Sequence, residues 1–324
     1  MTSSQLTSFL ETLKLGLSFV EDLPETLEES YEIITTRKRN GGKRVLKLPD
    51  KDLKWLQTRI LRDWLIPAYT FPAYVQGGVK RRSPKTNGDF HKNSAVVINV
   101  DLRDFFGNIT PAQVEQALKR LGFSKDLRVL ITKLTTFEGS LPQGAPTSTF
   151  LANLVALELD EKLFEIAQKH SASYSRYVDD ITFSGDPAVD VLIKEIKQCI
   201  RKSHFVLNPS KTRIQRSHRR QTVTKVIVNK RLSVPKDFLR QLRQDLHYCQ
   251  KFGVYGHCEE TEIESQLSFV AGLAARIGYV ISIDPEKGGS FLKQFRSMKD
   301  EEENDEHYQN LVARRLAHAK AASI

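Results

Sequence analysis

Cysteine is scarce in this chain of 324 residues, and so are tryptophan and methionine, with 3, 2 and 2 copies. Cys199, Cys249 and Cys258 form no C-x-x-C pair and are odd in number, which argues against a disulfide framework and a cysteine zinc site and fits a reducing cytosol. No apolar stretch approaches the roughly 18 residues of a bilayer-spanning helix. The opening segment MTSSQLTSFLETLK places a glutamate where a signal peptide keeps an apolar core. The expectation is a cytoplasmic protein, neither secreted nor membrane-spanning. No internal repeat is present, and 40% hydrophobic with 27% charged residues excludes collagen-like, coiled-coil and wholly disordered classes. At roughly 150 residues per domain, the length suggests about two structural units.

Acidic residues are the minority charge, 39 against 49 Lys and Arg, and the net +10 suits an acidic polymer as partner. The surplus is local: residues 201–251 hold 14 Lys or Arg against 2 Asp or Glu. In a helix expected from Lys236, the residues Lys236, Arg240, Arg243, His247 and Lys251 fall within roughly 80° of one another at about 100° per residue. Leu239, Leu242, Leu246 and Cys249 share the opposite face. One face packs; the other is either solvated or lies along phosphates.

The apolar spacing predicts mixed α and β elements. Residues 5–32 read as a helical leader, 37–49 as two short strands around Asn40-Gly41-Gly42, and 51–65 as a helix ended by Pro67. The Gly-rich basic stretch 76–93 reads as a loop against something anionic. AVVINVDLRDFF is a buried strand that meets Asp101. Helices are expected from Pro111 and over 127–138, then a Pro/Gly loop at Leu141–Ser148 leading into a long helix. SYSRYVDDITFSG reads as a hairpin centred on Asp179 and Asp180; 189–203 is helical, 223–229 is a strand, and the chain is wholly helical from Pro235.

Asp101, the Leu-Pro-Gln-Gly loop and the Asp179-Asp180 pair are the candidate chemistry. An aspartate at a strand end also serves as a cap or turn former, and Asp104 is a nearby rival. Two adjacent aspartates among apolar residues are harder to explain without a cation, because like charges repel and Asp is a poor strand former. Three carboxylates from two neighbouring strands could hold a pair of Mg²⁺ ions, an arrangement suited to in-line nucleotidyl transfer.

The order D-x-x-x-F-F, LPQGAPTS with an Ala-Asn-Leu helix, YVDD and LNPSKT resembles the palm and fingers of reverse transcriptases over roughly residues 35–255. The compact form resembles the bacterial retron type. Asn87-Gly88-Asp89-Phe90-His91 is similar to the retron element ahead of the catalytic strand, and Val223-Thr224-Lys225 to the retron Val-Thr-Gly element, with Lys in place of Gly.

The resemblance implies an α+β right-hand polymerase: an N-terminal helix and fingers over 1–96, a palm with an antiparallel sheet over 97–230 with a fingers insertion at about 112–140, and a helical thumb and tail over 231–324. It implies that Asp101, Asp179, Asp180 and the Leu102 carbonyl hold two Mg²⁺, and that Lys211 protonates departing pyrophosphate. Phe106 would exclude a 2′-hydroxyl, and Gln143 and Gly144 would contact the incoming nucleotide. Arg44 would clasp the triphosphate, helped by Lys43 or Lys38. Nucleic acid would meet Asn87, His91 and Lys225, and the thumb stripe of Lys236, Arg240, Arg243, His247 and Lys251. The implied activity is RNA-directed DNA synthesis from deoxynucleoside triphosphates on a dedicated structured noncoding RNA. Priming from an internal 2′-hydroxyl would leave a branched RNA–DNA molecule, in anti-phage defence. Residues 231–324 leave no room for a ribonuclease H domain beside a thumb, so a host ribonuclease H and a separate effector protein are expected partners. Another small prokaryotic reverse transcriptase, intron-like or untemplated, and a catalytically silent RNA-binding scaffold remain as alternatives.

Overall fold

The computed structural model describes residues 4–21, 27–37, 41–263 and 265–297. Lys38 lies outside them, as do the acidic residues Asp300, Glu301, Glu302, Glu303, Asp305 and Glu306, which the sequence reads as part of a solvated helix without chemistry.

Helix α1 (Ser4–Leu13) buries Leu6, Phe9, Leu10 and Leu13, as its spacing demands. The helical leader expected over 5–32 ends well before that: a strand, β1 (Tyr31–Arg37), pairs antiparallel with β2 (Lys43–Pro49), in a register that sets Tyr31 opposite Pro49 and Arg37 opposite Lys43. Ile33 and Ile34 beside Thr35 and Thr36 form a β-branched run, which favours a strand over helix. Helix α2 (Lys51–Ile60) starts where the Asp50 carboxylate accepts the Leu53 N–H at 2.8 Å. It continues through a π-wound turn at Leu61–Leu65 to Ala68.

The loop expected over 76–93 contains a short helix, α3 (Pro84–Asp89). Ser83 and Thr86 cap each other's backbone and Pro84 sits at the first helical position, so local capping chemistry outweighed the Gly-rich composition. Strand β3 (Val96–Arg103) is buried almost throughout. Helices α4 (Pro111–Arg120), α5 (Lys125–Thr135) and α6 (Ser148–Lys169) follow, then the hairpin of β4 (Ser173–Tyr177) and β5 (Asp180–Gly185), helix α7 (Val189–Arg201) and strand β6 (Val206–Arg216). The four longer strands form one sheet in the order β4-β5-β3-β6. Pro209 is tolerated within β6 because that strand lies at the sheet edge.

The strand expected over 223–229 is instead a minimal hairpin, β7 (Thr222–Val223) with β8 (Val226–Ile227). Its two turn residues, Thr224 and Lys225, have φ of 45° and 67°. Such a turn favours glycine, which explains the Gly that the family pattern carries at 225. Helix α8 (Lys236–Glu260) breaks at Gly253, whose φ of 75° is non-helical. Helices α9 (Gln266–Ile283) and α10 (Pro285–Arg296) complete the described fold.

By contacts the chain forms two compact units that cut across the three expected segments. One comprises Met1–Val79, Asn99–Ile181 and Pro187–Thr212; the other comprises Lys80–Ile98, Thr182–Asp186 and Arg213–Ile324. The first buries Phe9, Ile60, Leu118, Leu127 and Ile131. The second has a core of Leu242, Leu246 and Cys249 from α8 against Val270, Leu273 and Ile277 from α9. Contrary to the sequence expectation, α9 is long and apolar enough to cross a membrane by length and composition, with a mean hydropathy of 1.4 over 18 residues. Its apolar residues supply the core of this unit.

Lys225→Gly should raise the melting temperature by about 1–3 °C, because left-handed backbone costs a lysine more than a glycine. A fall on thermal denaturation would show that the Lys225 side chain contributes more than its backbone conformation costs.

Candidate active site

All the carboxylates singled out in the sequence belong to the first unit. Strand β3 delivers Asp101 into the interior, only 4% exposed, where its burial has to be met by partners. Asn208 Nδ2 donates to Asp101 Oδ1 at 2.9 Å, and Lys211 Nζ donates to Oδ2 at 2.8 Å, both from β6. Ser210 Oγ donates to Asn208 Oδ1 at 2.8 Å and orients that amide. Asn208 carried no assignment from the sequence; its place in LNPSKT, three residues before Lys211, is the signal that could have found it.

The hairpin turn between β4 and β5 presents Asp179, half-buried, and Asp180, exposed. The Leu102 N–H donates to the Asp179 carbonyl at 3.0 Å, which joins the end of β3 to the turn. Asp101 and the 179–180 pair, nearly eighty positions apart in sequence, therefore meet. Burial raises the Asp179 carboxyl above the ordinary carboxylate range, and the neighbouring Asp101 raises it further; Lys211 and Arg44 oppose the shift. Lys211 is itself held above its usual value by its hydrogen bond to Asp101, and so is charged at neutral pH.

A cleft of about 1400 Å³ opens over this group. Arg44, Phe106, Gln143 and Lys47 line it together with the aspartates. Lys47 was missed by sequence reasoning. Its N–H donates to the Gln143 carbonyl at 2.9 Å, and its ammonium lies 2.5 Å from Glu138 and 4.9 Å from the Phe137 ring centre. Strand β2 is thereby tied to the Leu-Pro-Gln-Gly loop. Gly144 and Lys43 do not line the cleft. The Gly144 position instead faces β2: its φ is 129°, and a Cβ there would come within 2.6 Å of Leu48 Cδ2. Phe106 is half-buried at the cleft wall, whereas Phe105 is 3% exposed and stacks on Phe205 at 5.3 Å between centroids.

The residues expected to meet nucleic acid lie in the second unit. Asn87 and His91 are fully buried. Asn87 Nδ2 reaches Thr224 Oγ1 at 3.4 Å, and His91 Nδ1 lies 2.8 Å from Ser184 Oγ. Burial drops the His91 imidazole to about 3, so it is neutral. Neither side chain offers a surface to RNA, which corrects that expectation: Asn87 on α3 and His91 just after it are both packed inward. Asn87 instead supports the turn that carries Lys225, which is exposed. Lys236, Arg240, Arg243, His247 and Lys251 are all exposed along α8, opposite its buried leucines, and Gly253 ends the stripe just beyond Lys251.

Among the described residues, no three His, Cys, Asp or Glu side chains are already drawn together as a ligand set. Asp101 spends both carboxylate oxygens on Asn208 and Lys211. The donors nevertheless fit hard divalent cations: they are carboxylate oxygens, and the raised Asp179 marks a place short of positive charge. Asp101, Asp179 and Asp180, with the Leu102 backbone, are the groups that would hold such ions.

The family description "Reverse transcriptase (RNA-dependent DNA polymerase)" matches residues 36–243. Among curated relatives, the Retron Mx162 reverse transcriptase of Myxococcus xanthus is 33% identical over 305 residues, covering 83% of this chain and 61% of the relative. The Retron Mx65 reverse transcriptase of the same organism is 32% identical, with 82% and 64% covered. The Retron Ec86 reverse transcriptase of Escherichia coli is 27% identical over 300 residues, with 89% and 90% covered. The chain thus spans less than two thirds of the length of the two Myxococcus relatives. Among solved structures, apo telomerase from Candida Tropicalis superposes with a TM-score of 0.56 at 10% identity, covering 99% of this chain and 67% of that one. At that identity the likeness is one of fold.

Asp179→Asn should raise the melting temperature of the ion-free protein by roughly 1–3 °C, since it removes a carboxylate penalised by burial and by the nearby Asp101 charge. A group raised in the folded state favours folding below its unfolded value, and that contribution is lost as pH rises through the folded value. The gain should therefore be present at pH 7 and vanish toward pH 3. Equal melting curves for variant and parent at pH 7 would contradict the electrostatic reading.

Proposed function

We propose, on the premise that this chain belongs to the reverse transcriptase (RNA-dependent DNA polymerase) family, that it is an RNA-directed DNA polymerase of the retron type, with the fingers, palm and thumb of a right-hand polymerase. The observation that carries the reading is the meeting of Asp101 with Asp179 and Asp180 through the Leu102–Asp179 backbone bond, beneath a cleft lined by Arg44 and Gln143.

Asp101, Asp179 and Asp180 would hold two Mg²⁺ ions. When bound, such ions activate the attacking hydroxyl and stabilise the charge of the phosphates. The protein's own groups divide the remaining work. Arg44 offers bidentate donors to the triphosphate, a geometry that lysine does not reproduce. Lys211, kept charged by Asp101, holds a proton at Nζ and can deliver it to the leaving pyrophosphate. Phe106 at the cleft wall excludes a 2′-hydroxyl, so deoxynucleotides are preferred. The basic stripe on α8 tracks an RNA–DNA hybrid through its backbone, a contact that weakens steeply with salt.

The template is a dedicated structured noncoding RNA, primed from an internal 2′-hydroxyl to leave a branched RNA–DNA product. The setting is cytoplasmic anti-phage defence, with a host ribonuclease H and a separate effector as partners. The naming of the curated relatives as retron enzymes supports the retron type from which this finer reading is drawn.

Purified protein should extend primed RNA templates, and Asp180→Asn should lose extension by about 10³-fold or more while RNA binding persists. Sequencing of copurifying nucleic acid should recover a branched hybrid; random-sequence DNA would sink the retron assignment. Phe106→Ala should admit ribonucleotides, raising their incorporation by about 10-fold or more relative to deoxynucleotides. Unchanged sugar discrimination in single-nucleotide insertion assays would remove Phe106 from that role.

A further inference from the structure

The turn that carries Asp179 is strained. Val178, one residue before it, has a φ of 60°, a region that β-branched side chains rarely adopt. Such a conformation persists only where its surroundings over-determine it. Two contacts do so here. Arg176 Nη1 donates to the Val178 carbonyl at 3.0 Å. The segment before α3 presses on the turn from the other side, so closely that a Cβ on Gly77 would come within 2.4 Å of the Val178 nitrogen.

Arg176 is a fixed post, fully buried. Its Nε and Nη2 donate to the two oxygens of Asp160 at 2.7 and 2.6 Å, and Nη1 also donates to Asn153 Oδ1 at 2.8 Å. Tyr174 donates its hydroxyl to Asp160 at 2.6 Å, and Asn153 donates to the Gly77 carbonyl at 2.8 Å. The backbone of Arg176 is pinned as well, accepting from Gln76 at 2.7 Å and donating to Tyr74 at 2.8 Å. A core ion pair between α6 and β4 needs only the Asp160 contacts. This guanidinium instead directs a remaining donor at the carbonyl next to a candidate metal-binding carboxylate.

We propose that Arg176 is a positioning residue: anchored on Asp160 and Asn153, it holds the strained Val178 carbonyl and so sets the direction in which Asp179 and Asp180 leave the turn. The proposal rests on the polymerase reading of the same site. With Val178 O held by Arg176 and Asp179 O held by the Leu102 N–H, the turn backbone is fixed at two consecutive carbonyls. Lysine cannot reproduce the fork that reaches Asp160, Asn153 and Val178 together.

The test is a double-mutant cycle on the full chain, with a primed RNA template, deoxynucleotides and Mg²⁺, alongside amide hydrogen exchange of the peptide spanning 174–183. Arg176→Lys should lower kcat by about 10–100-fold with little change in nucleotide KM. Exchange should accelerate at the turn more than in α6. Glycine adopts the turn unaided, so in a Val178→Gly background the same substitution should cost less than about 3-fold. An equal loss in both backgrounds, or a loss without faster exchange at the turn, overturns the proposal and leaves Arg176 a core ion pair. Should Arg176→Lys fail to fold, Asn153→Ala, which removes one anchor of Nη1, goes through the same cycle under the same criteria. If the parent chain extends no primer at all, the polymerase reading falls, and the exchange comparison alone decides the positioning role.

Discussion

Carboxylates brought together from separate strands repel, and the first unit of this protein is organised around meeting that repulsion. At an effective dielectric near 20, two unit charges about 4 Å apart oppose each other by roughly 4 kcal/mol. Asp101 is almost fully buried and Asp179 half-buried, so water screens them poorly. Lys211 and Asn208 from the edge strand take up the oxygens of Asp101, while burial first and the Asp101 charge second keep the Asp179 carboxyl raised. A raised, half-buried carboxyl beside a cleft costs stability, and such groups cluster at functional sites.

Below the carboxylates lies an opposite solution to a similar problem. Arg176 and Asp160 are charged and inaccessible, yet every donor and acceptor named between them finds a partner. Burial alone would push the Arg176 guanidinium down, but Asp160 more than offsets it and holds it above its ordinary value. The saturated network is rigid because removing one partner would strand a buried charge. Val178, whose carbonyl accepts from Arg176, links this network to the neighbouring Asp179.

The second unit contributes differently. Its core is apolar, from α8 and α9, and its basic residues remain on the surface. The α8 stripe keeps its charged ends exposed, with Arg243 lying over the buried Phe291 ring, which suits a face that follows a polymer backbone without reading a base sequence. The two-residue turn at Thr224-Lys225 takes a left-handed backbone conformation and is met by the buried Asn87 through Thr224.

Much of this was legible in order along the chain. Apolar runs marked β3, α6 and the β4–β5 hairpin, and the residues at their ends were the candidate chemistry, because a strand period and an abrupt aspartate are local properties. The inward placement of Asn87 and His91, the helix at Pro84 and the hairpin at 222–227 were not legible in this way, since composition there resembled a loop and tertiary packing chose otherwise. Lys47 and the Arg176–Asp160–Asn153 network went unnamed because the role of each depends on which distant residue it meets, and Asn208 had only its place in LNPSKT to mark it. Sequence alone determined which groups could do chemistry, through residue type and spacing. Only the tertiary structure decided which carboxylates meet, which lysine answers them and which arginine holds their turn, because charge interactions depend on distance in space and burial, and neither is a property of spacing along the chain.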